Sequence, residues 1–65
     1  MDRYSLYENT FRTAGLRMTE QRRVICEWLA QTDLHPTPYQ VFEGIAATNP
    51  EISRATIYNT LNTLQ

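Results

Sequence analysis

The chain has 65 residues, 42% of them hydrophobic, with six Arg, no Lys, seven acids and a formal net charge of −1. That is one small domain around a single core, which excludes a second domain; below roughly 70 residues such a core usually needs a staple, a metal or a partner. The single Cys26 rules out an internal disulfide or a Cys-pair zinc site within these residues and suits a reducing compartment. No apolar run nears the roughly 18 residues of a membrane span, so the expectation is a cytoplasmic protein without membrane contact.

Turn and cap residues predict four helices. The first spans about Asp2 to Ala14, with Tyr4, Tyr7, Phe11 and Ala14 on one stripe and Gly15 where a helix end favours positive φ. The second follows Thr19 as N-cap, with Glu20 in its first turn. Val24, Ile25, Trp28, Leu29 and Thr32 share one face, and Cys26 points away from it. The third opens on Thr37-Pro38-Tyr39-Gln40, which combines a capping Thr, Pro at the first helical position and a Gln that closes a capping box. Its buried face is Val41, Phe42 and Ile45, and Asn49-Pro50 ends it near Thr48. Ser53 caps a fourth helix over 53–65, with Ile57, Leu61 and Leu64 as its apolar seam. That helix is still amphipathic at Gln65, without a stop residue, so a longer protein is expected.

The net charge argues against nucleic acid, but its distribution does not. Arg12, Arg17, Arg22 and Arg23 face a single acid, Glu20, in their stretch, and Ile52 to Gln65 holds Arg54 and no acid. Opposite its seam the fourth helix carries Ala55, Thr56, Asn59, Asn62 and Thr63, with Tyr58 at the edge. Thr and Asn each cost roughly half a kcal/mol of helix propensity relative to Ala, so a face built from them calls for a reason. Base reading supplies one, because Asn can bond bidentately to adenine, while Thr, Ala and a tyrosine ring can contact the thymine methyl. An undemanding surface helix of small polar residues remains the other reading. The order helix, short turn, helix is that of a helix-turn-helix, and amides near Ser53, Arg54 and Ala55 could meet a phosphate, with Arg54 adding charge.

Gly15-Leu16-Arg17-Met18-Thr19-Glu20-Gln21-Arg22, His35-Pro36-Thr37 and Ile52-Ser53-Arg54-Ala55-Thr56-Ile57-Tyr58-Asn59-Thr60-Leu61 together resemble, in order and spacing, the N-terminal winged-helix domain of the ferric uptake regulator family. The resemblance implies a dimeric, metal-responsive transcription factor whose β wing and dimerisation domain lie after this segment. It also implies that Tyr58 contacts thymine, Asn59 reads a neighbouring base or phosphate, Ser53 and Thr56 touch phosphate, and Arg17 enters an adjacent minor groove. His35 matches a ligand lent to an interdomain metal. Two departures stand out: Glu20 replaces a Pro common before the second helix, and Asn59 stands where many iron-responsive members carry Arg. The second, with His35-Pro36-Thr37, is closer to the peroxide-sensing repressors.

The expectation is therefore an all-α helix-turn-helix domain of winged-helix type, residues 1–65, stopping before the wing of a two-domain regulator. Its DNA contacts would be Arg17, Ser53, Arg54, Thr56, Tyr58, Asn59 and Asn62, and its partner an operator duplex. His35 would be a metal ligand only with the following domain, so no cofactor is expected on these residues alone. A divalent Fe, Mn or Zn and a homodimer are expected of the full-length protein. No catalytic constellation appears, since the one His neighbours no Ser or Cys and no phosphate loop or carboxylate pair is present. The alternatives are a helical protein-interaction module and a winged-helix regulator without metal response.

Overall fold

Each helix begins on a side chain that accepts from an amide its first turn would otherwise leave unpaired. Asp2 accepts from the Ser5 amide at 2.8 Å and opens α1 (Arg3–Thr13). The Ser5 amide, and then its hydroxyl, hold the Asp2 carboxyl below the usual carboxylate range. Thr19 accepts from the Arg22 amide at 3.2 Å ahead of α2 (Glu20–Ala30). Thr37 accepts from the Gln40 amide at 3.2 Å while Gln40 accepts from the Thr37 amide at 2.8 Å, the reciprocal box that starts α3 (Pro38–Ala46). Ser53 accepts from the Thr56 amide at 3.1 Å and opens α4 (Arg54–Leu64). This computed structural model describes residues 2–32 and 35–64, and among them there are these four helices and no strand, as the patterning predicts. Whether α4 reaches Gln65 lies outside the described residues.

The end of α1 is a Schellman turn. Gly15, at φ 74°, lets its own amide reach Arg12 O at 3.0 Å and the Leu16 amide reach Phe11 O at 2.9 Å. Arg3 then donates to Thr32 O at 2.5 Å, and Arg22 lies over the Phe11 ring at 5.5 Å, so α1 and α2 run side by side in opposite directions. Both α1 and α3 pack on α2 and α4 without meeting one another among the described residues. The pair α2 and α4 is therefore covered on two sides.

On one side Ile25, Val41, Ile45, Ile52 and Ile57 form a buried aliphatic cluster, bordered by Val24, Trp28, Leu29, Phe42, Tyr58 and Leu61. On the α1 side Phe11 and Cys26 are buried. This corrects the expectation for Cys26: periodicity assigns α2 one apolar face, whereas α1 covers a second one. Burial pushes the thiol up to about 11, so it stays protonated near neutral pH and has little thiolate chemistry. Ala14 is also corrected. It is the C-cap of α1 and exposed, leaving Phe11, with half-buried Tyr4 and Tyr7, as the packed stripe.

Helix α3 ends at Ala46, two residues before the expected stop near Thr48, where the Thr48 amide turns to Ile45 O at 3.1 Å, an i→i−3 bond that tightens the last turn. The turn from Ala47 to Ser53 is pinned by Ile52, which is buried in the core and donates its amide to Asn49 O at 3.1 Å. Gly44 allows α3 to press on α2: a Cβ there would collide with the Trp28 indole, 2.8 Å from Cε2. On an open helix Gly→Ala stabilises by up to about 1 kcal/mol. Here Gly44→Ala is expected to destabilise by roughly 1–3 kcal/mol through overpacking, seen as a lower urea midpoint. A raised midpoint would mean that the indole has room to move.

Candidate nucleic-acid interface

Helix α4 divides its faces sharply. Ile57 and Thr60 point into the protein and are buried. The burial of Thr60 is not anticipated by an Ile-Leu seam; its hydroxyl is accommodated by donating to Thr56 O at 2.8 Å, and no buried side-chain N or O among the described residues lacks a partner. On the outer face Ser53, Arg54, Ala55, Asn59 and Asn62 are exposed, while Thr56 and Thr63 are half-buried. The helix from Arg54 to Leu64 contains no acid.

At the start of α4 the predicted residues Ser53, Arg54 and Thr56 come together. Ser53 Oγ and Thr56 Oγ1 lie 2.9 Å apart, so the two hydroxyls share a hydrogen bond in addition to the cap. Arg54 places its guanidinium over the Phe42 ring, 4.8 Å from the centroid, and Phe42 in turn meets Tyr39 at 6.4 Å between centroids. One turn further on, Asn59 and Asn62 stand exposed at i, i+3 spacing on the same face. Tyr58 differs from the sequence reading. Its ring packs against the aliphatic cluster, so it braces the core as well as bordering the outer face.

The Arg-rich stretch from Arg12 to Arg23 does not become a patch of four free cations. Arg23 is held by both Glu20 and Glu27, and hydrogen bonding to Arg23 lowers the Glu20 carboxyl from its ordinary range. Arg12 pairs with Glu8 at 3.7 Å. Arg22 donates to Arg17 O at 2.6 Å besides lying over Phe11. Arg17 and Arg54 are exposed and pair with no acid among the described residues. Arg17 sits in the α1–α2 loop, and among the described residues no hydrogen bond or ion pair joins it to α4.

His35 is exposed in the segment leading to Thr37, and Asp33 and Leu34 beside it lie outside the described residues. Among the described residues no three His, Cys, Asp or Glu side chains are grouped to hold a metal. One imidazole alone does not make a zinc or iron site, so these residues do not fit a bound metal by themselves. No helix among the described residues is long and apolar enough to cross a membrane.

The fold and this face define a helix-turn-helix module whose second helix presents an uncharged polar surface, with Arg54 at its start. A sequence model described as the ferric uptake regulator family matches residues 13–65, and the chain belongs to that family. The peroxide-responsive repressor PerR of Staphylococcus aureus strain Mu50 is 40% identical over 52 residues, which cover 80% of this chain and 35% of that protein. The same protein from strains USA300 and NCTC 8325 matches with the same identity and coverage. The chain thus spans about a third of the length of these curated relatives.

The packing of Tyr58 has a measurable consequence. Tyr58→Ala is expected to cost roughly 1–3 kcal/mol of stability from lost apolar burial, whereas Tyr58→Phe keeps the ring and melts close to the wild type. Thermal melts of the two variants check this, and an Ala variant as stable as wild type would show that the ring contributes no packing.

Proposed function

We propose that these 65 residues are the DNA-reading part of a metal-dependent transcriptional repressor of peroxide-responsive type, with α4 lying in the major groove of an operator. The observation that carries this reading is the outer face of α4, where Asn59 and Asn62 stand exposed on a helix that contains no acid. Amide side chains can take adenine bidentately, and the absence of carboxylates removes repulsion from phosphate. Ser53, Arg54 and Thr56 would meet the backbone at the helix start, Tyr58 the thymine methyl, and Arg17 a neighbouring narrow minor groove, where negative potential favours Arg. Membership of the family and likeness to PerR support the reading.

The test compares a duplex enriched from a random library with a mixed-sequence duplex across a salt series. Asn59→Ala is expected to lose about 1–3 kcal/mol on the enriched duplex and little on the mixed one. Equal losses on both would remove the base-reading role, and binding indifferent to salt would favour a protein-docking module instead.

The longer relatives support the further proposal of a second domain that supplies dimerisation and most of a divalent metal site, with iron, manganese or zinc as occupant. His35 would contribute one imidazole to that site from the edge of the helical domain. In a protein of the relatives' length, His35→Ala is expected to weaken the dependence of operator affinity on added divalent metal without changing the melting of the helical domain. An unchanged metal response would leave His35 as a loop histidine.

A further inference from the structure

Arg54 is set where a helix does not favour a cation. It occupies the first position of α4, at the positive end of the helix dipole, and the first turn contains no acid to offset it. Its guanidinium instead rests over Phe42 of the preceding helix, 4.8 Å from the ring centroid. Phe42 is half-buried against the aliphatic cluster, and its other neighbour, Tyr39, is 53% exposed in the first turn of α3. A guanidinium over an aromatic ring at this distance is attracted by the ring's π density, and its five N–H donors are more than that contact uses, so donors remain for an acceptor. Held this way, the side chain loses less rotamer freedom when it binds than a solvated Arg would.

We infer that Phe42, backed by Tyr39, is a positioning residue that holds the Arg54 guanidinium ready for a DNA phosphate beside the start of α4. The inference rests on the DNA-reading role proposed above. It assigns to α3 a part in binding that the core-facing pattern of Val41, Phe42 and Ile45 does not suggest. It also makes Arg at position 54 different from Lys, because a strongly hydrated ammonium on a flexible stem carries the charge without the forked donors that can meet a phosphate while the ring is engaged.

The experiment measures affinity for a labelled mixed-sequence duplex across a salt series, with circular dichroism melts to confirm folding. Arg54→Ala is expected to weaken binding several-fold and lower the salt slope by about one phosphate. Arg54→Lys should keep the salt slope but still bind several-fold more weakly than wild type, and since the residue is exposed this variant carries the test even where a change at Phe42 costs stability. Phe42→Leu should weaken binding several-fold in the wild-type background and add nothing in the Arg54→Ala background, while Phe42→Tyr, which keeps a ring, binds like wild type. Wild-type binding by Arg54→Lys, or equal Phe42→Leu losses in both backgrounds, would overturn the positioning role while leaving the DNA reading intact. A wild-type chain without salt-dependent affinity for the duplex would sink the DNA reading and this inference with it.

Discussion

The structure depends on one helix being buried from three directions. Helix α4 packs on α1, α2 and α3, and Ile57 at its centre is fully enclosed with Ile25, Val41, Ile45 and Ile52. Burying an aliphatic side chain of this size stabilises by about 1.5–3 kcal/mol, and a chain this short has few such residues to use. With the inner face of α4 so committed, its outer face needs to supply little toward folding. That is why five exposed positions between Ser53 and Asn62 can be small or polar without the helix losing its place. A recognition surface carried on a helix fixed in this way is held more closely than one carried on a loop.

The second constraint is that helix starts must be closed by side chains, since 9–11-residue helices are marginal without caps and packing. Asp2, Thr19, Thr37 and Ser53 do this four times over. In the last case the cap does more than stop fraying: Ser53 engages both the amide and the hydroxyl of Thr56, which draws together the polar groups at the start of α4. The acids serve the same local economy. Glu20 and Glu27 bracket Arg23 at i, i+3 and i, i+4, contacts worth little each at the surface but enough to remove Arg23 from any charge patch.

Features governed by neighbours three or four residues apart were legible in the sequence. The caps, the capping box, the positive φ at Gly15 and the Ile57 face all follow from such spacing. What depended on other elements was not legible. Cys26 and Thr60 are buried because α2 and α4 are each covered on more than one side, whereas a single-stripe reading allows each helix one. The contact of the Arg54 guanidinium with the Phe42 ring joins residues twelve apart across a turn, and no periodicity predicts it. For the candidate interface, the polar face of Asn59 and Asn62 could be read from a helical wheel. That Tyr58 belongs partly to the core could not, because its ring reaches sideways to a cluster contributed mainly by other helices.

The two ends of the α4 surface are prepared to different degrees. At its start Ser53, Thr56 and Arg54 are already engaged, by a shared hydroxyl bond, an amide cap and an aromatic ring, so little conformational freedom remains to be lost there. Among the described residues the exposed Asn59 and Asn62 side chains make no hydrogen bond, and the backbone carbonyl of Asn59 accepts from Thr63 Oγ1 at 3.2 Å within the helix. Their amides therefore settle only against whatever they meet. In the proposed complex this divides the labour physically: an ordered end suits a phosphate, which is the same at every step of the duplex and sets register. Unpaired amides suit base edges, where the wrong partner leaves a donor or acceptor unpaired and the right one does not. Discrimination would then come from the groups the fold leaves unfixed, and it would rely on the fold to bring them repeatedly to the same place.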